Sequence, residues 1–145
     1  MNSELASFFL DRVVRTFSFL STEHVFAAPT LEINDQICFA TVTFMGRNLA
    51  VECILDEREG DIDCKVARVL NGKKTSHYAV DENRIRVREG VASLLRRRGV
   101  REKLFRNVSQ LDLRERISIT LADFAHMLKT HCGDVLDDSP SALAN

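Results

Sequence analysis

Six carboxylates fall within residues 52–63: Glu52, Asp56, Glu57, Glu59, Asp61 and Asp63. Two carboxylates held close together can divide acid and base duty in hydrolysis or proton transfer. Five of these six flank a turn, so the plainer reading is a solvated hairpin and the polar face of a sheet. Thiols and imidazoles offer less. The four cysteines, Cys38, Cys53, Cys64 and Cys132, include no C-x-x-C pair. A nucleophilic thiol also needs a histidine and an orienting group, and the sequence supplies no such pairing. His126 and His131 stand about 140° apart around a helix and share no face, while His24 and His77 are scattered. The six glycines never cluster, so no phosphate-cradling loop is present. These absences argue against an enzyme and against a bound metal or cofactor.

Charge is segregated along the chain. Residues 84–106 hold nine Lys and Arg against Glu89 and Glu102, a net of +7, whereas residues 1–60 carry −5 and residues 107–145 carry −3. The formal net charge of −1 over 145 residues therefore conceals a basic connector between two acidic ends. Two binding sites follow from this pattern. Asp56, Glu57, Glu59, Asp61 and Asp63 form an acidic patch able to cap a basic active site on another protein, which requires no catalytic residue here. Arg96, Arg97, Arg98 and Arg101 are the alternative, a basic patch for nucleic acid or a regulatory contact. Against that alternative, Phe105 is the only aromatic among the nine cations, and three consecutive arginines splay around a helix axis. A helix end that complements the acidic remainder of the same molecule is the plainer explanation of them.

The elements that position these groups read from periodicity. Leu5, Phe8, Phe9, Val13, Phe17 and Leu20 recur at helical spacing over residues 4–20. Pro29 then leads into alternating stretches: Leu31 to Ile33, Ile37 to Phe44, Leu49 to Leu55, and a run from Ile62 that closes at Asn71-Gly72. Polar turns separate them, which predicts a three- to four-stranded antiparallel meander with one face buried and one solvated. From about Asp81 the period becomes helical through Val87, Val91, Leu94 and Leu95, with Gly99 as a stop. Leu113, Ile117, Leu121, Phe124, Leu128 and Cys132 form one stripe of a C-terminal helix. Ser109 and Asp112 resemble a capping box, and a start nearer Thr120 is the alternative. The fold class is α+β, with an N-terminal helix, the meander, and C-terminal helices packed on one sheet face.

Composition bounds the remainder. With 45% apolar and 28% charged residues, one globular domain is expected over residues 1–136, and Asp137-Asp138-Ser139-Pro140 opens a loosely ordered tail over 137–145. Phe8-Phe9-Leu10 is cut short by Asp11 and Arg12, so neither a signal peptide nor a membrane span is read. Three cysteines sit in strand-like apolar stretches and are expected to be reduced and buried, which places the chain in a cytoplasm.

Several strings carry a resemblance. The aromatic-rich first helix (Phe8, Phe9, Phe17, Phe19) precedes the turn Leu55-Asp56-Glu57-Arg58-Glu59-Gly60-Asp61-Ile62. Then come Leu94, Leu95, Arg96 and Gly99, the helix Leu121-Ala122-Asp123-Phe124-Ala125-His126-Met127-Leu128, and Gly133-Asp134-Val135-Leu136-Asp137-Asp138. This layout resembles the small bacterial immunity proteins of toxin–immunity systems. The resemblance implies a non-catalytic protein whose partner is a toxin or effector, neutralised by occlusion of its active site. It assigns no particular binding residue.

Overall fold

The computed structural model describes residues 1–75 and 79–144. Helix α1 runs Ser3–Phe17, capped by Asn2, whose side-chain oxygen accepts the amides of Glu4 at 2.8 Å and Leu5 at 3.1 Å. A short α2, Phe19–Thr22, continues after Ser18. Strands β1 (Thr30–Asn34), β2 (Phe39–Met45), β3 (Leu49–Asp56) and β4 (Asp61–Leu70) pair antiparallel in sequence order, the expected meander. The end of β4 turns at Asn71 and Gly72 into the two-residue β5, Lys73–Lys74, and β6, Arg88–Gly90, pairs with the middle of β4. Helices α3 (Val91–Arg97), α4 (Leu113–His131) and α5 (Gly133–Leu136) follow, then a 3-10 turn at Ala142–Ala144.

One face of the sheet is built by every second residue. Val42, Phe44, Val51, Cys53, Leu55, Cys64 and Val66 share a core cluster with the apolar stripes of α1, α3 and α4. On α4 the stripe Ile117, Leu121, Phe124, Leu128, Cys132 is buried. Burying such side chains contributes about 1.5–3 kcal/mol each. This is the α+β architecture expected, with helices on one side of an antiparallel sheet.

Four readings are corrected. The segment around Val87 is not helical: Arg88–Gly90 is a strand, because Val66 and Ala67 of β4 still needed a partner on that edge. Helix α4 starts at Leu113, and its cap is Asp112, which accepts the amide of Glu115 at 2.9 Å; the cap lies three residues later than Ser109. The segment 137–144 is anchored at three buried positions. Asp138, Ala142 and Leu143 are buried, held by carbonyl contacts from Arg97 and Arg98 and by the turn between β2 and β3. Finally, the second face of the sheet is not simply solvated, for every residue from Leu49 to Leu55 in the central strand β3 is buried.

Candidate functional site

The five carboxylates of the expected acidic site converge at one end of the sheet. Asp56 and Asp61 are the last paired residues of the β3–β4 hairpin, directly opposite each other, and Asp63 pairs with Ile54 two residues along. Strand alternation puts Asp56, Asp61 and Asp63 on the face turned away from the helices. Glu57 and Glu59 occupy the turn. The turn is rigid: Asp56 Oδ1 accepts the amides of Arg58 at 3.1 Å and Glu59 at 3.3 Å, and the Gly60 amide donates to the Asp56 carbonyl at 2.8 Å. Gly60 adopts φ +68°, and a Cβ there would stand 2.5 Å from Nη2 of Arg116, so only glycine closes this turn against α4 without displacing that arginine. A second tie joins the hairpin to the β1–β2 loop, through Arg58 Nη2 on the Gln36 carbonyl at 2.9 Å and the Glu57 amide on the Cys38 carbonyl at 3.0 Å. Among the described residues, no ion pair engages any of the five carboxylates. Like charges directly opposite in a sheet destabilise it, so Asp56 facing Asp61 weakens the fold it belongs to.

The basic segment behaves in the opposite way. Arg97 donates from Nη2 to Glu89 at 2.8 Å and to the Leu143 carbonyl at 3.1 Å. Arg98 grips Asp134 with Nη1 at 3.1 Å and Nη2 at 2.6 Å, and also meets the Ala142 carbonyl at 2.6 Å. Arg106 pairs with Asp123 at 2.8 Å, and Arg86 with Glu89 at 3.3 Å. Arg96 bonds the carbonyls of Val100 and Glu102, and Arg101 the carbonyl of Arg96. Of Arg96, Arg97, Arg98 and Arg101, two face carboxylates of the same chain and two bond backbone carbonyls. Burial pushes Glu89 toward the neutral form, yet hydrogen bonds from Arg97 and Ser93 and the charges of Arg97 and Arg86 prevail and hold its carboxyl below the ordinary range.

A second cluster was hidden from pattern reading. Glu52 is 1% exposed in the middle of β3, on the face away from the helices. Lys74 reaches it from β5 at 2.8 Å and Arg88 from β6 at 3.0 Å, and Lys74 also donates to Thr43 Oγ1 at 2.9 Å. The signal was present: a lone acid inside the apolar run Leu49 to Leu55 must find cations if that strand is central.

Comparison of the chain with protein families, with curated proteins and with solved structures finds no match. Function must accordingly be argued from chemistry alone. Buried thiols offer no nucleophile: burial pushes Cys132 up to about 11, and a hydrogen bond donated by the Cys64 thiol to Cys53, together with burial, raises Cys64 well above the ordinary thiol value. Cys38 is the exception to the burial expected, since it sits half-exposed in the β1–β2 turn with φ 56°. Among the described residues, no group of three His, Cys, Asp or Glu is placed to hold a metal ion, and no helix is long and apolar enough to cross a membrane. His131 bonds Glu102, His126 lies 3.5 Å from Thr130, and His77 falls outside the described residues.

Proposed function

We propose that the protein is a non-catalytic binding module that docks its acidic hairpin onto a basic surface of another protein. In the reading that the resemblance to immunity proteins favours, that partner is a bacterial toxin or effector whose active site is covered. One observation carries the proposal. Arg97, Arg98 and Arg106 of the basic segment each pair with a carboxylate of the chain, while Asp56, Glu57, Glu59, Asp61 and Asp63 stand together in no ion pair among the described residues. A rigid turn carrying unneutralised charge loses little conformational entropy on docking and accelerates encounter with an oppositely charged face. The basic-segment alternative has weaker support, because Arg97 and Arg98 would have to abandon Glu89 and Asp134.

The test has two stages. The partner is first isolated on the wild-type chain, and its toxicity to growing cells is measured with and without co-expression of this protein. The variant D56K/E57K/E59K is then compared in binding. Loss of about tenfold or more in affinity, mostly in the association rate and diminished by salt, is expected. Unchanged affinity in a correctly folded variant removes the hairpin from the interface.

A further inference from the structure

The face of the sheet turned from the helices is hollowed into a cleft of about 540 Å³ lined by residues of β1, β2, β3, β5 and β6. A side chain in it carries donor capacity that no group among the described residues uses. Arg88 is clamped through Nε to Glu52 at 3.0 Å, which fixes the plane of its guanidinium. Its Nη1 and Nη2 donate to no group among the described residues. The side chain is 19% exposed, and it stands in the wall of the cleft and of an adjoining hollow of about 350 Å³. Lys74 stands beside it, and Phe39, Ile37 and Thr41 supply two apolar surfaces and a hydroxyl.

We infer that this cleft binds a small organic monocarboxylate, the acid on the Arg88 fork and an apolar body of one ring or a short chain against Phe39 and Ile37. The fork matches a carboxylate in two parallel hydrogen bonds, and its orientation is set before the ligand arrives. The volume lies within the about 300–1,000 Å³ of small-molecule sites. Charge selects against polyanions. Glu52 neutralises much of the Lys74 and Arg88 charge at the floor, and Glu32 and Asp35 line the same cleft. A dianion such as phosphate meets repulsion there that a monoanion with an apolar body offsets by burial. This inference is independent of the acidic hairpin and of any protein partner.

Titration of the full chain with sodium benzoate, benzamide and inorganic phosphate, followed by backbone-amide NMR shifts, tests it. Benzoate is expected to saturate with shifts centred on residues 37–41 and 88, and to bind about tenfold or more tightly than benzamide or phosphate. Arg88→Gln should lower benzoate affinity about tenfold or more. Because Arg88 also supports Glu52, a second variant leaves the fold alone: Ile37→Glu, at a position 45% exposed, places a negative charge at the cleft and should weaken benzoate severalfold with unchanged unfolding. The inference is overturned by absence of saturation at about 20 mM benzoate, by phosphate or benzamide binding as well as benzoate, or by wild-type affinity in the two variants.

Discussion

Asp138 is tied to Leu49 across 89 positions of sequence: its Oδ1 accepts the Leu49 amide at 2.8 Å. The same carboxylate takes the amides of Arg47 at 2.8 Å and Asn48 at 3.1 Å, and the Asp138 carbonyl receives Asn48 Nδ2 at 3.0 Å. A single side chain thus closes the β2–β3 turn. Gly46 leaves the room for it, since a Cβ there would lie 2.6 Å from Asp138 Oδ1. Asp138→Ala should destabilise the protein by about 2–4 kcal/mol, because three amides lose their acceptor. Asp138→Asn keeps one acceptor oxygen and tolerates the φ of 55°, so it should cost less. Urea unfolding measures both, and an alanine variant within about 0.5 kcal/mol of wild type would mean that the turn stands without Asp138.

Glu89 sets an acid limit on stability. Its carboxyl titrates below the ordinary value of 4.5 in the folded protein, so the unfolded chain takes up this proton first as pH falls. Its contribution is complete above 4.5 and is lost as pH drops through the depressed folded value. Glu89→Gln should cost about 1–3 kcal/mol near neutrality, and the gap to wild type should narrow as the pH falls below 4.5. Unfolding midpoints across that range decide the matter; a gap independent of pH would exclude Glu89 as the titrating group.

Thiol accessibility separates Cys38 from the other three cysteines. At about pH 8 iodoacetamide should label Cys38 in the native protein and spare Cys53, Cys64 and Cys132, which are buried, the thiols of Cys64 and Cys132 being also held above the ordinary range. In denaturant all four should react. Intact and peptide mass spectrometry reads the pattern, and rapid native labelling of Cys132 would contradict its packing.

Affinity for polyanions should be slight despite the +7 segment. Arg86, Arg88, Arg97, Arg98 and Arg106 already face carboxylates, so few counterions are released on contact with a duplex. The slope of log K against log salt should be no steeper than about −3. A slope beyond about −5 on DNA would show that those cations are free to leave their partners, and the basic-segment reading would regain its standing.

Local periodicity carried much of the fold. The α4 stripe of Ile117, Leu121, Phe124, Leu128 and Cys132 and the alternation of Ile62, Cys64 and Val66 each match a single repeat length, so the face that must be buried is written in neighbouring residues. The acidic turn was legible for the same reason: Asp56 to Asp61 is one contiguous hairpin connection. Residues 84–90 misled because Val87 and Val91 stand four apart, a spacing equally available to a strand running into a helix. What decided between them was the free edge of β4, more than twenty positions away.

Sequence alone determined which residues are apolar, their repeat along each element, and the clustering of like charge in two segments, because these are properties of neighbours. Only tertiary structure decided which charges cancel. Arg98 met Asp134 and Arg97 met Glu89, while Lys74 and Arg88 closed on Glu52, so part of the conspicuous basic run is paired with acids of the same chain and the acidic hairpin is not. Charge cancellation depends on separations of a few ångströms between groups distant along the chain, and those distances exist only once the helices have packed on the sheet.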